Sequence, residues 1–187
     1  MARHRRTFWL LAITALLAGA LTRSPAAQPA QPATPAQSAA PQQTTATYED
    51  WIVRCETLSG PPARKSCEMV QYTQAKGGQS VISQVAIGRI TKTDPVKLVV
   101  QLPLGIWLPS GVKLVADAKD PGLVATFKRC LPQACIADVD IGPEALRRYR
   151  TVTERGQIVF KDGNQKDATL PVSFKGFGTA FDALSKE

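Results

Sequence analysis

Four cysteines in two local pairs constrain this chain more than any other feature. Cys55 and Cys67 lie twelve residues apart, and Cys130 and Cys135 lie five apart. An even number of cysteines in an exported protein reads as a disulfide framework, although four cysteines allow three pairings and sequence alone does not choose among them. The local pairing, Cys55–Cys67 and Cys130–Cys135, is the expectation adopted. The first bridge would staple two neighbouring strands, and the second would clip a hairpin through Leu131-Pro132-Gln133-Ala134. A zinc site prefers ligands two to four residues apart, and only one pair is that close. A redox pair would read C-x-x-C, which is absent.

The N-terminus supplies the oxidising context. Arg3, His4, Arg5 and Arg6 form a positive head, and Phe8 to Leu21 is an apolar run closed by Ala18-Gly19-Ala20. This is the anatomy of a secretory signal peptide, expected over residues 1–27. The run is shorter than the roughly 20 residues that cross a bilayer, so no integral membrane span is expected after cleavage. Residues 28–46, rich in Pro, Ala and Gln, carry no charge, no aromatic and no branched aliphatic residue. Such a segment buries too little apolar surface to offset its chain entropy, and it reads as a disordered linker. The folded domain is expected over residues 47–187.

The charge must be read by location. The chain carries 23 Lys+Arg against 15 Asp+Glu, a formal +8. Arg3, Arg5, Arg6 and Arg23 fall in the N-terminal 27 residues, which hold no acid, leaving 19 basic and 15 acidic side chains from residue 47 onward. A domain so mildly basic, in an exported chain, argues against a nucleic-acid partner. The one histidine, His4, belongs to the signal. The mature domain therefore lacks an imidazole for acid–base chemistry or metal ligation.

Within the domain the pattern is strand-like. Trp51, Val53 and Cys55 alternate with Ile52, Arg54 and Glu56, and Cys67, Met69 and Gln71 alternate with Glu68, Val70 and Tyr72. Further strands are expected at Ser80–Ile90, Val96–Leu102, Val112–Asp117, Leu123–Cys130, Cys135–Ile141, Gln157–Lys161 and Thr169–Phe174. Many short strands separated by turn signals predict an all-β sandwich or barrel. Asp162-Gly163 suits a tight hairpin between the last two strands. Two helices are expected at the back: one opening at Pro143-Glu144, with Leu146, Tyr149 and Val152 inward, and one carrying Phe177, Phe181 and Leu184.

Candidate sites are sparse. No phosphate loop or dinucleotide fingerprint is present. Asp138 and Asp140 share a strand face, which reads as a solvated outer face more readily than as a calcium site or acid pair. Lys128, Arg129, Arg147, Arg148, Arg150 and Arg155 form a candidate patch for an anionic ligand, weighed against a plain solvated helix face. Leu102-Pro103-Leu104-Gly105-Ile106-Trp107-Leu108 is apolar for a segment rich in turn formers. It is expected to be mostly core wall, with Trp107 a candidate interaction residue. No catalytic, metal or cofactor-binding residues are assigned.

Several of these residues also form a series. Asp50-Trp51-x-x-x-Cys55, then Cys67 with Met69 and Gln71, resembles the opening of the invasion-associated locus B family. So do Leu102-Pro103-Leu104-Gly105, Leu108-Pro109-Ser110-Gly111-Val112, Asp117, Phe127-x-x-Cys130, Cys135-x-Ala137 and Gly176-Phe177-x-x-Ala180. Ala134 departs from the family, which tends to have glycine there. The resemblance implies an immunoglobulin-like β-sandwich in the bacterial envelope, to which the residues themselves add one or two short helices and two local disulfides. It also implies a link, in some pathogens, to entry into host cells, and it brings no catalytic residue or cofactor. The expected function is an exported, non-enzymatic binding module, periplasmic or secreted, with a protein or cell-surface glycan partner. A periplasmic homeostasis factor, chaperone-like or inhibitory, is the alternative, and an unrecognised enzyme comes third.

Overall fold

The computed structural model describes residues 43–187, apart from residues 79 and 154. The expected signal peptide and residues 28–42 of the expected linker lie outside the described residues. Ten strands are formed: β1 (Gln43–Tyr48), β2 (Trp51–Leu58), β3 (Arg64–Gln74), β4 (Val81–Arg89), β5 (Lys97–Leu102), β6 (Val112–Val115), β7 (Leu123–Leu131), β8 (Ala134–Asp140), β9 (Arg155–Lys161) and β10 (Asp167–Ser173). Helix α1 (Pro143–Thr151) joins β8 to β9, and α2 (Phe177–Lys186) follows β10. No helix among the described residues is long and apolar enough to cross a membrane.

The alternation read from the sequence decides which side chains bury. Trp51, Val53 and Cys55 of β2 are buried, while Ile52 and Arg54 are half-buried on the other face. Leu98, Val100 and Leu102 do the same on β5. The fold is mostly β with two helices, as expected, and every strand pairing is antiparallel. The two layers are parts of one continuous sheet, in the order β1-β2-β3-β4-β5-β8-β7-β6-β9-β10. β7 makes them continuous: Leu123–Ala125 pair with β6, and Thr126–Leu131 pair with β8 across an irregularity at Phe127/Arg129. A bulge there bends the strand and lets one ladder feed both halves.

Both halves bury into a single core. Trp51, Met69, Ile87 and Val100 from one half meet Leu114, Ile158 and Val172 from the other, with Tyr149, Phe174, Phe177 and Leu184 at the helical end. The sheet is pinned where β10 folds back over β3. The Gln71 side chain donates from Nε2 to the Ser173 carbonyl at 3.1 Å and accepts the Ser173 N–H at 2.7 Å. Trp51 donates from Nε1 to the same carbonyl at 3.0 Å. An inward glutamine thus satisfies backbone groups that no strand ladder reaches.

Both disulfides form as expected, Cys55–Cys67 and Cys130–Cys135. Cys55 stands directly opposite Cys67 on β2 and β3, and Cys130 directly opposite Cys135 on β7 and β8. On the chain-entropy account, closing these short loops contributes about 3 and about 2 kcal/mol. α1 begins at Pro143 after Gly142, with Glu144 in its first turn, as the sequence predicts.

Three local expectations change. Gln43–Ala46, read as the end of the linker, belongs to β1 and pairs with Arg54, Cys55, Glu56 and Val53 of β2. The last hairpin is tight, as expected, but its loop extends beyond the Asp-Gly pair: residues 162–166 form it, closed by Asp162 N–H donating to Lys166 O at 2.9 Å, and Gln165 takes the left-handed conformation at φ 63°. The third concerns the apolar segment after β5.

Candidate functional site

The segment between β5 and β6 is mostly surface, not core wall. Leu102 is buried and Ile106 half-buried, but Leu104 is 51% exposed, Trp107 39% and Leu108 41%. Position explains the difference. The chain leaves β5 in one half of the sheet and must reach β6 in the other, so it crosses outside the layers where side chains find no second face. Val124 of β7 is also exposed, at 50%. A Cβ placed on Gly111 would lie 3.3 Å from its Cγ1, which puts the end of the loop against this valine.

The loop is held in one conformation. Trp107 N–H donates to Lys161 O at 2.9 Å, and Ile106 makes an isolated bridge to Asp162. Leu108–Ser110 forms a 3-10 turn with Pro109 inside it, and Gly111 N–H donates to Leu108 O at 3.0 Å. Ser110 Oγ donates to Trp107 O at 3.0 Å. Gly111 has φ 67°, and any side chain there would meet Ala125 O at 2.6 Å, so only glycine fits this close approach. An exposed apolar surface already fixed in place loses little conformational freedom when it meets a partner.

The six candidate basic residues are distributed over β7, α1 and β9. Arg148 is committed to structure. Its Nη1 donates to Asp120 Oδ1 at 2.5 Å, and the Asp120 side chain is fully enclosed. Asp120 also accepts N–H groups from Ala116 at 2.7 Å and Gly122 at 3.1 Å. This clamp ties the β6–β7 loop to α1. Arg150 pairs with Asp182 of α2 at 2.6 Å and lies over the Phe181 ring. Lys128 sits 3.9 Å from Asp138, and Arg129, Arg147 and Arg155 are exposed without an ion-pair partner among the described residues. Asp140 pairs with Lys97 at 2.6 Å, and Asp138 lies between Lys97 and Lys128. The two aspartates therefore act as counterions on an outer sheet face.

Sequence reasoning missed a groove on the outer face of β2–β5, with a volume of about 480 Å³. Ala86, Gly88 and Val99 line it, with Ile90, Asp94 and Pro95 contributed by the β4–β5 loop. Arg54 and Glu68 also line it, paired at 2.5 Å, and Arg54 reaches Tyr72 at 2.8 Å. The signal available was the run of small residues at alternate β4 positions, which leaves a hollow only once the neighbouring strands are in register.

Glu187 lies close to Cys55 and Cys67, but disulfide sulfurs are not thiolates and offer no ligand set. The Tyr149 hydroxyl is buried without a hydrogen-bond partner. Burial, and then the nearby Asp120 charge, pushes this phenol well above its ordinary pKa. It packs among Phe174 and Phe177 and is fully buried.

These features define a class: an antiparallel β-domain stapled by two hairpin disulfides, whose prominent surfaces are a braced apolar loop and an outer-face groove. The family model described as invasion associated locus B (IalB) protein matches residues 51–185, and this chain belongs to that family. Two invasion protein B homologs of Brucella abortus, one from strain 2308 and one from biovar 1 strain 9-941, are each 31% identical over 144 residues. In both comparisons the match spans 74% of this chain and 77% of the relative. The crystal structure of invasion associated protein B from Bartonella henselae shares the fold, with a TM-score of 0.66 at 19% identity. That match covers 75% of this chain and 94% of the other.

Proposed function

We propose that this protein is an exported, non-enzymatic binding module of the bacterial envelope that assists attachment to or entry into host cells. The observation that carries the reading is the loop of residues 103–110. It presents Leu104, Trp107 and Leu108 to solvent while four backbone and side-chain contacts fix its shape. Exposed apolar side chains gathered on one short loop mark an interaction site. Tryptophan is the side chain most often found to dominate such contacts. The family names attached to the relatives, invasion protein B and its homologs, point the same way. The signal-like N-terminus and paired cysteines support export.

The test is binding of the intact exported chain to host cells, with Trp107→Ala beside it. Binding that falls on substitution, at unchanged thermal unfolding, supports the reading. Binding to no cell or membrane preparation, or turnover lost with a single carboxylate or serine substitution, sinks it. A second reading, a periplasmic homeostasis factor without a host role, is favoured by the outer-face groove, which has the apolar lining of a small-ligand or peptide site. Surface protease accessibility separates the two, because a protein confined to the periplasm cannot contact a host cell.

A further inference from the structure

We propose that the surface this loop meets is a lipid bilayer: Leu104, Trp107, Leu108 and Val124 insert into the interface of an anionic phospholipid membrane, and Lys113 and Lys166 engage its phosphates. The proposal rests on the binding-module reading and names its partner. Leu104, Trp107 and Leu108 lie on a crossing that stands outside both halves of the sheet, and Val124 lies beside its end on β7. Tryptophan and leucine on an exposed surface match the interfacial zone of a bilayer, where an indole sits at headgroup level with its N–H wet.

The charges beside the loop are arranged to suit phosphate. Lys113 stands directly opposite Val124 across the β6–β7 ladder and is exposed. Lys166 belongs to the β9–β10 hairpin, whose Gly163 abuts Gly105 of the loop. Neither lysine has an ion-pair partner among the described residues, whereas the two nearby acids are occupied. Asp162 Oδ1 accepts N–H groups from Asn164 and Lys166, each at 2.9 Å. Asp167 pairs with Lys161 at 2.8 Å. An apolar tip with lysines beside it, one nearby acid paired with Lys161 and the other turned onto its own hairpin's N–H groups, is the pattern of a peripheral membrane contact, where apolar insertion and headgroup attraction act together.

The test is sedimentation of the intact exported chain with protein-free vesicles, either pure phosphatidylcholine or phosphatidylcholine mixed with phosphatidylglycerol. Fluorescence is recorded in parallel, using the difference from Trp107→Phe to isolate Trp107 from Trp51. The mixed vesicles should bind the protein and shift Trp107 emission to the blue. Trp107→Ala, or Leu104→Ser with Leu108→Ser, should lower partitioning by about tenfold, and Lys113→Glu with Lys166→Glu should weaken binding to the mixed vesicles in a salt-dependent way. Thermal unfolding of each variant should match the parent, which separates lost contact from lost fold. No binding to mixed vesicles, equal binding to the uncharged ones, or binding indifferent to Trp107→Ala overturns the proposal. Binding to native host membranes that a protease pretreatment abolishes, with none to vesicles, also overturns it while leaving the binding-module reading standing. Binding to neither removes both.

Discussion

Two tryptophans mark two regions that the same residue type serves in opposite ways. Trp51 is 1% exposed, packs edge-on against Phe177 at 5.3 Å, and donates to Ser173 O, so it fastens β2, β10 and α2 at once. Trp107 is hydrogen-bonded through its backbone, to Lys161 O, and is 39% exposed. Each region also has its own disulfide. Cys55–Cys67 lies on the strand pair of Trp51, and the Cys130–Cys135 turn shares a cleft with Pro103 at the start of the loop. The contrast teaches that backbone bonds fix a side chain's position, while burial decides whether the fold depends on it.

The largest effect should be at the buried end. Trp51→Ala should cost about 3–5 kcal/mol in denaturant unfolding, through the cavity and the loss of one of the two donors to the Ser173 carbonyl. A cost similar to that of Trp107→Ala would break the comparison. Replacing both Cys55 and Cys67 by Ala should cost about 3 kcal/mol, and the same change at Cys130 and Cys135 about 2 kcal/mol. Cys55 is buried and Cys130 exposed, so lost packing should widen that gap, and a reversed order would show that the loop end carries more stability than its burial implies. Asp120→Ala removes the acceptor for two N–H groups and Arg148, and should lower stability by about 2 kcal/mol while leaving vesicle or cell binding unchanged.

Smaller effects sharpen the contrast. Tyr149→Phe removes a buried hydroxyl that has no partner, so stability at neutral pH should hold or rise slightly. The pH profile gives the sign. The folded-state pKa is raised by burial, so below the ordinary phenol value of about 10 the group is neutral in both states and its contribution is fully present. Above that value the unfolded chain ionises first, and the parent should lose stability with rising pH faster than Tyr149→Phe does. Smallest of all, Trp107→Ala should move unfolding by less than about 0.5 kcal/mol, as expected for a surface change, while binding falls.

Much of this was legible in the residues because it is local. Period-two alternation located β2 to β10 within a few residues, Pro143 after Gly142 opened α1, and cysteine spacing found both bridges. β1 was not legible, because Gln43-Thr44-Thr45-Ala46-Thr47 has no apolar alternation and becomes a strand only by pairing with β2. The crossing loop misled because apolar content was read as burial, whereas topology places residues 103–110 outside both layers. Asp120 with Arg148, and Gln71 with Ser173, are separated by 28 and 102 positions. Nothing local in a sequence announces partners that far apart. The groove has the same origin: it exists only in register.

The continuity through β7 governs how the chain can assemble. Every protein emerges N-terminus first, and β1 to β5 form a run of neighbouring hairpins whose strand pairing needs nothing later. The free edge of that meander is Lys97–Leu102, whose partner is β8, not the next strand made. From the time residue 102 appears until residue 140 follows, an edge carrying Leu98, Val100 and Leu102 stands open, the template on which chains pair wrongly with one another. A helper that shields this edge would act on the nascent chain and would have no surface left to hold once β8 has docked.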